Sequence, residues 1–171
     1  AYPSWIYPVL QGATTIWERW NSYTLKNGFG PVDMNSFNHY SYGSIQDWMM
    51  AYSAGIQRDE NNPGYKHFML QPRIGGNFSF IHASYNSVYG NIVSRWDSNN
   101  KTLAPQTDAA KYGYTYTAEV PPNTSATLTL PLHDQHTIDV KIGKKGILSK
   151  KIEKGKAIYE LSAGLYTFCV K

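Results

Sequence analysis

The hydrophobic pattern of this chain changes its period near residue 62, and this change limits the folds that are open to it. Between Ser36 and Ile56 the apolar and aromatic residues recur mostly at three- or four-residue steps, which predicts a helix with one buried face. The polar run at residues 59–64 (DENNPG) ends that helix. From Tyr65 onward the period is two, which is typical of short, half-buried strands.

An earlier helix is predicted over residues 14–23. Thr14 or Thr15 supplies a helix N-cap, and Glu18 follows Thr15 at the spacing of a capping box. The run KNGFGP at residues 26–31 ends this helix. Because two helices alone do not close a core, the helical part either lies on the remainder of the chain or belongs to a larger domain.

The second part of the chain reads as a series of short strands separated by turn signals, which favours an antiparallel β-sandwich. We therefore predict an α+β fold, with a helical hairpin in residues 1–62 and a β-sandwich in residues 63–171. The predicted strands are residues 65–72, 78–85, 91–96, 113–120, 126–130, 137–142, 156–161 and 165–170.

Composition excludes several classes of protein. The chain is 42% hydrophobic and 16% charged, as expected of a globular protein. Its net charge is only +4, and no nucleic-acid-binding motif accompanies the lysines that cluster in residues 141–156. No apolar run is long enough to span a membrane. The aromatic content of 15% suits strand packing, with stacking on sugars as the alternative.

Glu18 is the strongest candidate for chemistry. It lies between Trp17 and Trp20 in the stretch GATTIWERW at residues 12–20. Aromatic walls partly desolvate a carboxylate, which suits proton transfer, and aromatic rings also pack on the apolar face of a sugar. Helix capping is the alternative role for Glu18, because capping carboxylates are common.

His39 is the second candidate, placed by the pattern in the first turn of the second helix. Its imidazole could bind substrate hydroxyls or orient a carboxylate, and a partly exposed helix histidine is the alternative. The five histidines show no metal-ligand spacing, and His133 and His136 flank Asp134 in a polar turn. We therefore expect no metal and no cofactor.

Several motifs occur in order across residues 3 to 96 and together resemble one known family. They are GATTIWERW at 12–20, MNSFNHYSYG at 34–43, GI at 55–56, PGYKHF at 63–68, QP at 71–72, ASYNSVYG at 83–90 and SRW at 94–96. This pattern is similar to the C-terminal part of the bacterial α-L-rhamnosidases. The resemblance implies an inverting glycoside hydrolase whose (α/α)₆-barrel catalytic domain is followed by a β-sandwich.

The resemblance also implies roles for the candidate residues. Glu18 would be the general base that activates water, and His39 would contact the sugar in the same pocket, with Trp17 and Trp20 beside it. The general acid of the family belongs to an earlier motif that nothing in this chain matches. Inversion requires two carboxyl groups about 6.5–9.5 Å apart. We therefore expect a fragment that carries half of an active site and is inactive alone.

The expected partners follow from this interpretation. They are a rhamnose-containing glycoside and the missing N-terminal part of the same polypeptide, without nucleic acid or membrane. An apolar helix face left bare is expected to self-associate; it comprises Trp5, Ile6, Trp17, Trp20, Trp48 and Met49. Two alternatives remain open: a sandwich that binds glycans through Tyr85, Tyr89 and Trp96, or one that only supports the barrel.

Overall fold

The computed structural model describes residues 2–99, 113–133 and 137–171. Asp134 and His136 of the predicted polar turn lie outside these residues. So does Asn100, the last residue of the run DSNN at 97–100, which the sequence predicts to be a turn. Contacts divide the chain into two compact units, Ala1–Trp48 and Met49–Lys171. Each unit is considered by itself.

The first unit consists of short elements joined by irregular segments. The strands β1 and β2 form a small antiparallel ribbon in which Tyr23 pairs with Phe29. The elements in chain order are α1 (Ile6–Leu10), β1 (Tyr23–Thr24), β2 (Gly28–Phe29), a 3₁₀ turn (Val32–Met34), a second 3₁₀ turn (Tyr40–Gly43) and α2 (Ser44–Trp48).

The predicted helical hairpin is not seen, because residues 14–22 contain no helix. The groups expected to cap a first helix bond instead to a segment about twenty residues later. The Thr15 hydroxyl donates to Phe37 O, and the Glu18 carboxylate accepts the backbone N–H of Ser36. These contacts between distant segments outweigh the local capping signal. The second predicted helix exists, but its helical turns begin at Tyr40 rather than at Ser36.

The second unit begins with a π-helical turn (Met49–Ser53) and contains two five-stranded sheets. The strands are β3 (Ile56–Arg58), β4 (His67–Leu70), β5 (Phe80–Ser87), β6 (Gly90–Ser98), β7 (Tyr114–Val120), β8 (Ser125–Pro131), β9 (Ile138–Ile142), β10 (Ile147–Glu153), β11 (Lys156–Leu161) and β12 (Gly164–Val170). The first sheet has the strand order β10-β11-β8-β4-β3 and the second has the order β5-β6-β7-β12-β9.

The predicted series of strands is largely present, with two amendments. The first sheet is mixed, because β4 and β8 are parallel, with His67 opposite Ser125 and Leu70 opposite Leu128. The other strand pairs are antiparallel. In addition, β3 precedes residue 62 and pairs with β4, so this sheet includes residues from before the boundary drawn from the sequence.

The core of the second unit is built from inward-facing residues at alternate positions along its strands. In β7 the buried residues are Tyr114, Tyr116, Ala118 and Val120, at every second position. Burying one large apolar side chain contributes roughly 1.5–3 kcal/mol. Strand packing therefore accounts for much of the high aromatic content. Among the described residues the fully buried aromatic side chains are Phe68, Trp96, Tyr114, Tyr116, Tyr159, Tyr166 and Phe168.

Some polar groups inside this core have hydrogen-bond partners, whereas Nε1 of Trp96 and the hydroxyl of Tyr159 have none among the described residues. The hydroxyl of Ser94 donates to Ala54 O at 2.6 Å and lies 2.9 Å from the hydroxyl of Tyr116. Burial raises the pKa of the Tyr116 phenol, so that group stays neutral at ordinary pH. The network joins the segment before β3 to the middle of the other sheet by hydrogen bonds rather than by charge.

Gly55 allows the chain to enter β3 against a close neighbour. Its φ of +77° lies in the left-handed region, and a Cβ built there would stand 2.2 Å from both the carbonyl carbon of Gln71 and the nitrogen of Pro72. The Gly55 carbonyl accepts the N–H of Gln71 at 2.8 Å. Only glycine satisfies both the dihedral angle and the contact.

Candidate functional site

The first unit joins the two segments that the sequence singled out. The N–H of Glu18 donates to Ser36 O at 2.8 Å, and the N–H of His39 donates to Ile16 O, also at 2.8 Å. The N–H of Ser36 donates in return to Oε2 of Glu18 at 2.8 Å. The segments 15–18 and 36–39 therefore run side by side, held by main-chain hydrogen bonds with the Glu18 carboxylate among them.

Glu18 lines a cleft of about 390 Å³ within this unit. It is the only acidic residue in a lining that is otherwise mainly aromatic and polar, comprising Tyr2, Pro3, Trp5, Glu18, Arg19, Trp20, Asn21 and Tyr42. The hydrogen bond from Ser36 fixes Oε2 of Glu18. Oε1 has no hydrogen-bond partner among the described residues.

The two tryptophans beside Glu18 point into different surroundings. Trp20 lines the cleft and its ring centroid lies 6.3 Å from that of Trp5. Trp17 does not line the cleft; it packs edge-on against Phe37 at 5.1 Å, and Phe37 in turn packs against Phe29. The expectation that both indoles flank one binding space assumed a helix, which the structure does not form here.

His39 is near the cleft without lining it. Its ring centroid lies 5.2 Å from that of Tyr42, which does line the cleft. Its Nδ1 lies 2.9 Å from the hydroxyl of Ser41. The structure therefore connects His39 to the cleft through Tyr42, and it adds Trp5 and Tyr42 as aromatic lining residues that the sequence argument did not name as sugar contacts.

The three aromatic residues proposed for a glycan-binding surface on the sandwich are not all exposed. Trp96 is fully buried in the core, so it cannot stack on a ligand. Tyr85 is 40% exposed and its ring centroid lies 4.7 Å from that of Tyr65. Tyr89 is 37% exposed, with the amine of Lys66 at 5.3 Å from its ring centroid.

A polar network on the outer face of the first sheet was not anticipated. Nδ1 of His67 lies 2.8 Å from Asp59 Oδ2, and Nε2 lies 3.2 Å from the hydroxyl of Thr127. That hydroxyl also lies 2.8 Å from Glu160 Oε1, to which it donates. Because the Thr127 proton is directed to Glu160 and not to an imidazole base, the arrangement does not present an activated nucleophile, and we interpret it as structural.

Asp59 has an environment that favours its charged form. The side chain of Asn62 and the backbone N–H of Asn61 donate to its carboxylate, and together with His67 they hold the pKa of Asp59 below its usual value. The predicted role of Asp59 as a turn residue is in keeping with these local hydrogen bonds.

Within the described part of the chain no group of His, Cys, Asp or Glu side chains could hold a metal ion. None of the described helices is long and apolar enough to cross a membrane.

Comparison with known families assigns both parts of the chain. Residues 1–53 match the bacterial alpha-L-rhamnosidase 6 hairpin glycosidase domain. Residues 55–145, more than half of the chain, match the bacterial alpha-L-rhamnosidase C-terminal domain. The chain belongs to the bacterial α-L-rhamnosidase family. It corresponds to the end of the six-hairpin domain together with the C-terminal domain, which confirms the resemblance drawn from the motifs.

Individual α-L-rhamnosidases align with almost the whole chain. The alpha-L-rhamnosidase of Streptomyces avermitilis is 35% identical over 99% of the chain, and that of Formosa agariphila is 37% identical over 99%. The crystal structure of the Streptomyces avermitilis enzyme complexed with L-rhamnose superimposes on 100% of the chain with a TM-score of 0.72. The chain spans only 15% and 17% of the lengths of these two relatives.

Proposed function

We propose that the protein to which this chain belongs removes terminal α-L-rhamnose from glycosides by an inverting mechanism. Family membership supports the reaction class, and a relative crystallised with L-rhamnose supports the sugar. The observation that carries the proposal is the position of Glu18, which is the only acidic residue lining an aromatic cleft within the described ranges. We further propose that the N-terminal part of the chain completes a helical catalytic domain and that the sandwich, which includes β3 ahead of residue 62, is a separate domain.

Glu18 acts as the general base in this proposal. Ser36 anchors Oε2, which fixes the direction of the carboxylate. Oε1 takes a proton from the water that attacks the anomeric carbon, so the new C–O bond forms on the face opposite the leaving group. The product is then the sugar of inverted anomeric configuration.

Aromatic residues hold the sugar for that attack. Trp20 and Trp5 offer ring faces and edges for the apolar side of the pyranose, as aromatic residues do in sugar sites. His39 contacts a sugar hydroxyl beside Tyr42. Trp17, engaged with Phe37, contributes to substrate binding by keeping the Glu18 segment against the His39 segment.

The general acid is supplied by residues outside this chain. No second carboxyl group lines the cleft among the described residues, and an inverting reaction requires a proton donor for the leaving oxygen. The chain by itself is therefore expected not to hydrolyse an ordinary rhamnoside. The complementary part of the polypeptide is the partner that completes the pocket.

Glu18→Gln in the full-length protein tests this mechanism, with an aryl α-L-rhamnoside as substrate. Loss of the base should lower kcat about 10²–10⁴-fold. The amide oxygen of glutamine still accepts the Ser36 N–H, so the melting temperature should not change. Asp47→Asn, an exposed position on α2, is the matched control and should keep full activity. A loss of only a few-fold in Glu18→Gln would overturn the role as base, and NMR showing retention in the first product would overturn inversion.

A non-catalytic sandwich that binds glycans is the competing function, supported by the exposure of Tyr85 and Tyr89. Calorimetric titration of the chain with L-rhamnose separates the alternatives. Heat that disappears in a Tyr85→Ala/Tyr89→Ala variant would favour a binding module. Absence of heat would leave the sandwich with a supporting role.

A further inference from the structure

A second cleft, of about 260 Å³, lies in the sandwich unit and is rich in positive charge. Among the described residues its lining contains no acidic residue and three basic ones, and consists of Gln71, Pro72, Arg73, Ile74, Thr129, Pro131, His133 and Lys156. The motif analysis assigned nothing to this place.

The cleft arises because the central strand β4 ends before its neighbour β8. The last residue of β4, Leu70, lies opposite Leu128, whereas β8 continues to Pro131. On the other side of β8, Lys156 at the start of β11 lies opposite Pro131. The chain that leaves β4, residues 71–74, therefore borders a gap beside the ends of β8 and β11. The rings of Pro72 and Pro131 stiffen two of its walls, because proline has a fixed φ.

Two cations at this gap lack a counter-charge. Arg73 is exposed, and so is Lys156; neither forms an ion pair with a carboxylate among the described residues. An arginine fork matches the oxygens of a carboxylate or a sulfate, and a lysine adds a point charge. The hydroxyl of Thr129 and the amide of Gln71 offer neutral hydrogen bonds beside them.

We propose that this cleft binds the anionic group of an acidic saccharide, either the carboxylate of a uronic acid or a sugar sulfate ester. Pockets for drug-sized ligands usually measure roughly 300–1,000 Å³. At about 260 Å³ this cleft is smaller than that, so it suits a ligand no larger than a single charged sugar residue. The anionic part of this inference rests on the cleft alone. The saccharide part rests on the proposed function, since a rhamnoside that the protein binds can also carry charged sugars.

Calorimetric titration of the 171-residue chain with galacturonic acid, galactose 6-sulfate, galactose and inorganic sulfate tests the proposal. Binding of either charged sugar should weaken at least tenfold in Arg73→Gln/Lys156→Gln and should weaken with added salt. Whichever charged sugar binds more tightly identifies the anionic group. The matched control, Arg95→Gln/Lys145→Gln, removes the same charge from exposed positions elsewhere in the unit and should bind as the parent chain does.

Several outcomes would overturn the proposal. If galactose binds as tightly as galacturonic acid, the cleft does not require an anionic group. If inorganic sulfate binds as tightly as both charged sugars, the cleft does not recognise the saccharide. An equal loss of affinity for the charged sugars in the control variant would show a general effect of the protein's charge. Binding that survives in Arg73→Gln/Lys156→Gln, or no binding of any charged sugar at millimolar concentration, would reject the cleft. Because the readout is binding, failure here is independent of failure of the hydrolysis test on Glu18.

Discussion

Glu18 and Ser36 are joined by a reciprocal pair of hydrogen bonds, one from each backbone N–H. The N–H of Glu18 donates to the carbonyl of Ser36, and the N–H of Ser36 donates to the carboxylate of Glu18, both at 2.8 Å. One side chain thus connects two motifs through residues that are eighteen positions apart. The pair fixes the position of the carboxylate proposed as the base without using a helix cap.

Glu18→Ala should release the Ser36 amide, whereas Glu18→Gln should not. Alanine removes the acceptor, and a lost hydrogen bond of this kind costs about 1 kcal/mol. We expect faster amide hydrogen exchange at Ser36 in the alanine variant and near-parent exchange in the glutamine variant, measured by NMR. Equal protection of Ser36 in both variants would contradict the structural part of this role.

Gly55→Ala and Gly64→Ala should differ sharply although both glycines have φ +77°. At Gly64 nothing lies within 4 Å of the added Cβ, so the cost is the left-handed strain alone, about 1–2 kcal/mol. At Gly55 the Cβ meets backbone atoms at 2.2 Å, and we expect a loss of at least about 3 kcal/mol or failure to fold. Denaturant unfolding measures the difference, and similar losses would argue against the close approach of Gln71.

Acid should destabilise the chain partly through Asp59. Its pKa is lowered in the folded state, mainly by the Asn62 side chain, so its stabilising contribution is complete above its unfolded pKa near 3.8 and is lost as the pH falls through the folded value. Between pH 5 and pH 2 the melting temperature of Asp59→Asn should therefore fall less than that of the parent chain. Glu60→Gln, the exposed neighbour, serves as the control. An unchanged pH profile in Asp59→Asn would contradict the prediction.

The isolated chain should self-associate through the apolar surface of α1. Ile6, Val9 and Leu10 are at least 60% exposed, and contiguous apolar surface of this kind usually finds a partner. Light scattering at increasing concentration should show growth in apparent mass, and Ile6→Lys/Leu10→Lys should suppress it. Leu148→Lys/Ile152→Lys on β10, an equally exposed pair, is the matched control. A monomer at all concentrations would contradict the expectation.

Strand periodicity was a good guide to the sandwich, because burial on one face imposes it. β7 was predicted over 113–120 and is observed over Tyr114–Val120, with each second residue buried. β10 was missed because nearly all of its residues are exposed, so no face distinguishes them. β3 was missed because its three residues follow directly on a helical pattern.

The irregular first unit could not be derived from local signals. Thr15 and Glu18 carry the spacing of a capping box, yet both bond to the segment around Phe37. Residues three apart lie on one face of a helix, and without that helix Trp17 and Trp20 separate into different aromatic clusters. The motifs pointed to the correct family, whereas the geometry of the cleft depended on contacts that no local pattern encodes.

The parallel pairing of β4 with β8 has a consequence for synthesis of the chain. His67 must wait for Ser125, so the middle of the first sheet stays open until the ribosome has released residues almost sixty positions further on. Sheets built on such long loops form slowly. A truncation that stops before residue 125 would leave β4 with one bare edge, and the sheet is therefore expected to fold late.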